Sequence, residues 1–204
     1  MITEKINPRF AVLALFMIVV AAMRIPNAAG LTTWSNFTPI GAMGLFGGAY
    51  FNKAWKAFAF PLLTLLVSDL IIQAFVYDGK YGIMYGSWYW VYGGFCVIVL
   101  FGKWLLKKIS VQNVVLTGMV ATLVYWLIVD FGVFLFGCTD ITTGQTMDHS
   151  FSSLLKCYAQ GAPYMKNFLI GTLVYSGIMF GAFEWMKKNK TIAGIGLIFL
   201  CTEQ

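Results

Sequence analysis

The chain has 204 residues, of which 59% are hydrophobic and only 11% charged, with a mean hydropathy of +0.77. A soluble domain carries about a quarter charged residues, so this composition excludes an ordinary soluble protein and fits a polytopic membrane protein. The net charge of +6 does not point to nucleic acid, because the basic residues form short clusters between apolar runs, the pattern that sets membrane topology.

Taken in order, the apolar runs lie at 10–23, 38–51, 55–77, 83–102, 111–136 and 163–186. They predict an all-α protein, six transmembrane helices in one bundle, with residues 1–204 forming a single integral membrane domain. No run alternates polar and apolar residues, so a barrel is not expected. The first two runs are shorter than the ~20 residues a span needs and must be tilted, extended or shielded. Residues 1–22 also admit a signal-peptide reading, with Lys5, Arg9 and then Ala21-Ala22, but Glu4 is untypical of such a segment and the bundle would lose a helix.

The second run, Asn36 to Phe51, is the expected centre of the bundle. Thr38 is placed to cap it and Pro39 to occupy its first turn. Gly41, Ala42, Gly44, Gly47, Gly48 and Ala49 keep it thin, so neighbours can press against its backbone.

The lysines and arginines orient the chain. With the N-terminus inside, cytoplasmic segments hold Lys5, Arg9, Lys53, Lys56, Lys103, Lys107, Lys108, Lys187, Lys188 and Lys190, against Arg24, Lys80, Lys156 and Lys166 outside. Ten against four predicts both termini in the cytoplasm. The longest connection, 137–162, then faces outward and carries Asp140, Asp148, His149, Cys138 and Cys157, with a short amphipathic helix expected near 152–158. Cys138 and Cys157 either staple that loop as a disulfide or remain free. The run 191–201 is too short to span and is expected at the inner interface.

Two acids fall within predicted spans, Asp69 in the third and Asp130 in the fifth, both in the outer third. Charges at that depth face the bundle interior with a partner, and Arg24 is the candidate. The pair then either lines a polar ligand site or clamps helices together. Gln73 shares the Asp69 stripe, and Thr122 and Trp126 share that of Asp130. Tyr85, Trp88, Tyr89, Tyr92 and Cys96 form one aromatic stripe on the fourth helix, with Tyr85 and Tyr89 expected inward and Trp90 in an interfacial belt. Gly177 and Gly181 make a small-xxx-small pair on the sixth helix. Metal-ligand spacings, a nucleophile elbow, a Walker lysine motif and a dinucleotide fingerprint are all lacking, so no metal, cofactor or enzyme is expected.

The segments 36–51, Pro61-Leu-Leu-Thr-Leu-Leu-Val-Ser-Asp-Leu (61–70), Tyr85-Gly-Ser, Asp130-Phe-Gly-Val and Phe168-Leu-Ile-Gly-Thr-Leu-Val-Tyr-Ser (168–176) resemble a family of small, uncharacterised bacterial membrane proteins assigned to transport. That family is similar to the S components of energy-coupling factor (ECF) vitamin transporters. The resemblance spans about 24–181. It implies a six-helix S-component fold, a nutrient bound near the outer surface, and docking on a transmembrane coupling protein with ATPase subunits. Helix one departs from the docking pair Ala-x-x-x-Ala of many S components, since Ala11 is followed by Leu15 and Ala14 by Ile18. A similar cobalamin transporter uses a cysteine before its fourth helix, where this chain has Tyr77-Asp-Gly-Lys-Tyr-Gly, so cobalamin is not the expected ligand.

The expected function is therefore a substrate-binding membrane subunit for nutrient uptake. Arg24, Asn36, Asp69, Tyr85, Tyr89, Asp130 and Asn167 are the candidate ligand residues, and lipid, a small molecule and an ATPase module are the expected partners. The alternatives are an integral membrane enzyme using a buried Asp, and a structural subunit of a membrane complex.

Overall fold

The computed structural model of the protein describes residues 19, 22–26, 28–29, 34–51, 53–80 and 82–188. Residues 22–26 are helical, and five helices follow: α1 (Ile40–Tyr50), α2 (Ala54–Phe75), α3 (Trp88–Leu105), α4 (Val111–Leu135) and α5 (Phe151–Lys188). The protein is all-helical, and the described residues contain no strand beyond the single bridge between Thr139 and Thr146. Helices α2 to α5 are each long and apolar enough to cross a membrane. Most of the expected first helix, with its signal-peptide and docking-pair readings, and the expected interfacial run 191–201 lie outside the described residues.

At 11 residues α1 is only about 17 Å long, too short for a ~30 Å hydrocarbon core. It need not span, because it is buried among the others and touches α2, α3, α4 and α5. Ile40, Ala42, Met43 and Leu45 are almost wholly inaccessible and pack with Leu65, Phe95, Ile98 and Phe168. Its glycines are what bring the backbones together. A Cβ on Gly48 would overlap the Val99 carbonyl oxygen, and one on Gly102 of α3 would overlap the Leu45 carbonyl. The expectation of a thin central helix holds, but its start is different. Pro39 occupies the N-cap position with no side-chain cap, and Thr38 is buried one residue earlier. Gly171 of α5 is packed against that turn, since a Cβ there would lie 3.0 Å from the Thr38 nitrogen.

The C-terminal helix corrects the expected boundaries most. Instead of 163–186, α5 runs from Phe151 and is 38 residues long, so the connection expected at 137–162 shrinks to 136–150 and the short amphipathic helix expected near 152–158 is simply α5's first turns. Ser150 sets the start, its Oγ accepting from the Ser153 N–H at 3.3 Å while its carbonyl accepts from Leu154 at 3.0 Å. Pro163 lies inside the helix rather than opening it. At about 57 Å, α5 is longer than the ~40–45 Å thickness of a whole bilayer.

Candidate functional site

Arg24 is the polar centre of the bundle. Its Nη2 donates to Asp69 Oδ1 at 2.5 Å, and its Nη1 donates to Ser68 Oγ and, at 3.3 Å, to the Leu65 carbonyl. The second carboxylate oxygen of Asp69 accepts from the Tyr92 hydroxyl at 3.1 Å. Ser68 can in turn donate to the Thr64 or Leu65 carbonyl, both at 2.9 Å, so the network is anchored down α2. Asp69 is 3% exposed and Arg24 18%. A charge that deep needs a partner, and each is the other's.

One side of Arg24 borders open space. A cleft of about 440 Å³ is lined by Arg24, Ser35, Asn36, Thr38, Ile72, Tyr77, Tyr85, Phe95, Tyr125, Val129, Tyr164 and Phe168. A second lobe of about 390 Å³ shares Arg24, Ala28, Ile72, Tyr77 and Tyr85 and adds Asp69 and Gln73. These volumes fall within the range of small-molecule sites. The walls come from the end of α2, the turn before α1, the 76–87 connection, α3, α4 and α5. Gln73 is 4% exposed and its Oε1 has no partner among the described residues. Asn36 reaches the cleft from a turn closed by Phe37 N–H on the Trp34 carbonyl, with a positive φ of 66° that Asn tolerates better than most residues.

The profile of DUF6580, a family of unknown function, matches residues 4–193. The chain belongs to that family. No curated protein and no solved structure matches it.

Of the seven candidate ligand residues, four line the cleft of this DUF6580 protein: Arg24, Asn36, Asp69 and Tyr85. Tyr89 does not. It is 47% exposed, against Trp88, Trp90 and Phe136, as an outer-belt residue would be. Trp90, expected in that belt, is half-buried on Phe131 and Gly132, where a Cβ would overlap its ring. Asn167 instead holds the 34–37 turn, its Nδ2 donating to the Ser35 carbonyl at 3.0 Å. Tyr92, Tyr125, Phe95, Phe168 and Tyr164 were not among the candidates. Tyr92 alone carried a sequence signal, seven residues beyond Tyr85 on the same stripe.

Asp130 is turned away from Arg24 and toward α5. Gly161 makes room for it, since a Cβ there would overlap Oδ2, and that oxygen has no partner among the described residues. Trp126, one turn before, packs edge-on against Tyr158 of α5 at 5.2 Å between centroids. The two intramembrane acids thus belong to different interfaces. Outside the membrane, Asp140 pairs with Lys156 and accepts from both the hydroxyl and the N–H of Thr142. The Lys156 bond, then those to Thr142, hold its carboxyl well below the usual range. Asp148 is likewise lowered, by Ser153 and then Ser150.

Proposed function

We propose that the protein is the substrate-binding membrane subunit of a transporter that takes up a small, ring-containing nutrient, a vitamin or related molecule. The observation that carries the reading is the two-lobed cleft. It combines a fixed guanidinium at Arg24, an unengaged acceptor at Gln73 Oε1 and aromatic walls at Tyr85, Tyr125, Phe95 and Phe168. Aromatic faces suit a flat ligand, and a few convergent polar groups fix its orientation. Lys53, Lys56, Lys103, Lys107 and Lys108 lie around the opposite ends of these helices, which supports an outward cleft and cytoplasmic termini in a bacterial inner membrane. The likeness to ECF S components adds a partner, a transmembrane coupling protein with ATPases. Any ATP dependence comes from that partner, because the chain has no phosphate-binding loop.

Gentle purification, native mass spectrometry and identification of the extracted small molecule test this. The expected result is a stoichiometric ligand in the parent protein that is lost in Tyr85→Ala and Gln73→Leu. A ligand retained equally by both variants, or a parent protein empty after extraction from its native membrane, overturns the reading.

One observation favours a second reading. Both oxygens of Asp69 are engaged, by Arg24 and Tyr92, as in a structural clamp joining the 22–26 segment to α2 and α3. In a binding subunit this clamp positions Arg24, and Asp69 acts through it. The same engagement leaves Asp69 poorly placed as the general acid or base of an enzyme.

A further inference from the structure

The outward 136–150 connection carries a feature that the ligand cleft does not use. Cys138 at its start and Cys157 in the second turn of α5 are both buried, 7% and 3% exposed, and they pack together with Phe134, Met147 and Leu154 in a small cluster of their own. The Cys157 thiol donates to the Asp130 carbonyl at 3.9 Å, one helix away, and shares its apolar cluster with Cys138. Each sits on a fixed backbone. The Cys138 carbonyl accepts from the Met147 N–H at 2.8 Å beside the Thr139–Thr146 bridge, and Cys157 lies within a helix capped by Ser150. Both are free thiols in the structure.

We propose that Cys138 and Cys157 are joined by a disulfide that fastens the outward connection to the first turns of α5. The proposal rests on the outward orientation argued above, because a disulfide persists in an oxidising compartment. The oxidant is a protein disulfide of the extracytoplasmic space. One cysteine thiolate attacks a sulfur of that disulfide and forms a mixed disulfide, releasing the oxidant's first thiol. The second thiolate then displaces the oxidant's other sulfur and closes the Cys138–Cys157 bond. Two electrons pass to the oxidant, which leaves as a dithiol, and the two thiol protons end on its sulfurs or in water. Exchange takes place before the connection packs, while the thiols are accessible. Burial by Phe134, Met147 and Leu154 afterwards shields the bond from reductants.

The sequence makes the test direct. Lys156 separates the two cysteines, so trypsin yields peptide 109–156 with Cys138 and peptide 157–166 with Cys157. The full chain is taken from acid-quenched membranes, denatured without reductant and alkylated. The expected result is label on Cys96 and Cys201 only, with the two peptides joined, and label on all four cysteines after reduction. In Cys157→Ala, peptide 109–156 is expected unjoined. Four labels without reduction, or either cysteine joined to Cys96 or Cys201, overturns the proposal. A parallel arm locates the connection, with Thr143→Cys in a background lacking the other cysteines treated in intact cells with a membrane-impermeant maleimide. Labelling from outside together with free thiols overturns the disulfide alone. Labelling only after lysis overturns the outward orientation and removes the oxidising compartment the bond requires.

Discussion

Asp69→Asn offers the sharpest probe of the bundle's polar centre. The carboxylate is 3% exposed and lies 2.5 Å from the guanidinium it neutralises. With charge centres about 4 Å apart and an effective dielectric constant of about 20, the attraction is on the order of 4 kcal/mol. The substituted amide keeps the shape and an acceptor for Arg24 but not the charge, and removing one partner of a buried pair costs about 3–5 kcal/mol. Arg24→Gln should cost about as much by stranding the carboxylate, which would retain only the Tyr92 hydroxyl. The double variant restores a neutral, hydrogen-bonded pair, so its loss should fall short of the summed single losses by roughly 1–3 kcal/mol. Thermal unfolding in detergent reads this as a fall of roughly 6–20 °C for each single variant at about 2–4 °C per kcal/mol. Single variants within about 2 °C of the parent, or a double variant whose loss equals their sum, would refute the idea that the pair is mutually neutralising.

Three further outcomes follow from other parts of the structure. Gly102→Ala should cost about 1–3 kcal/mol, because its Cβ meets the Leu45 backbone carbonyl rather than a movable side chain, whereas Gly93→Ala, with no described atom within 4 Å, should be neutral or slightly stabilising in the same unfolding assay; equal effects would remove the close α1–α3 approach. The lowered Asp140 carboxyl contributes stability above its unfolded value of about 3.9 and loses it as pH falls through the lower folded value. Hydrogen-exchange protection of residues 139–146, corrected for intrinsic rate, should therefore stay level from about pH 8 to about pH 5 and fall only below about pH 4; a loss already near neutrality would contradict the Lys156 and Thr142 contacts.

What the sequence revealed and what it hid divide along physical lines. Apolar run length made the all-helical bundle with its candidate membrane spans legible, and glycine density picked out Ile40–Tyr50 as the element others close upon. The start of α5 is hidden from apolar run length, because its first turns, 151–162, are too polar to join the run 163–186. A proline can sit inside a long helix once its neighbours satisfy the freed carbonyl, whereas a serine followed three residues later by an N–H needing an acceptor is a positive start signal. Thr38 shows the converse. It had the right chemistry for a cap, but Gly171 packs against its backbone and the chain enters α1 through Pro39 instead.

The two aspartates mark where sequence reasoning must give way to packing. Depth along a helix is readable by counting, and Asp69 and Asp130 were rightly placed within their spans. Azimuth is not, because it depends on which neighbour each face meets. On α4 the cleft is lined by Tyr125 and Val129, four residues apart on one stripe. Trp126 and Asp130 form the next stripe, displaced by a single residue and so by about 100° around the axis. That one-residue offset turns Asp130 from the cleft to Gly161 of α5. It also changes the electrostatics of the site. With Asp130 included, the cleft would carry two carboxylates against one guanidinium and favour a cation. Without it, Arg24 and Asp69 balance, and the described lining is electrically neutral overall. Discrimination in such a site falls to hydrogen bonds at groups such as Gln73 Oε1 and to the aromatic faces, where a ligand lacking the matching donor leaves a buried acceptor unpaired.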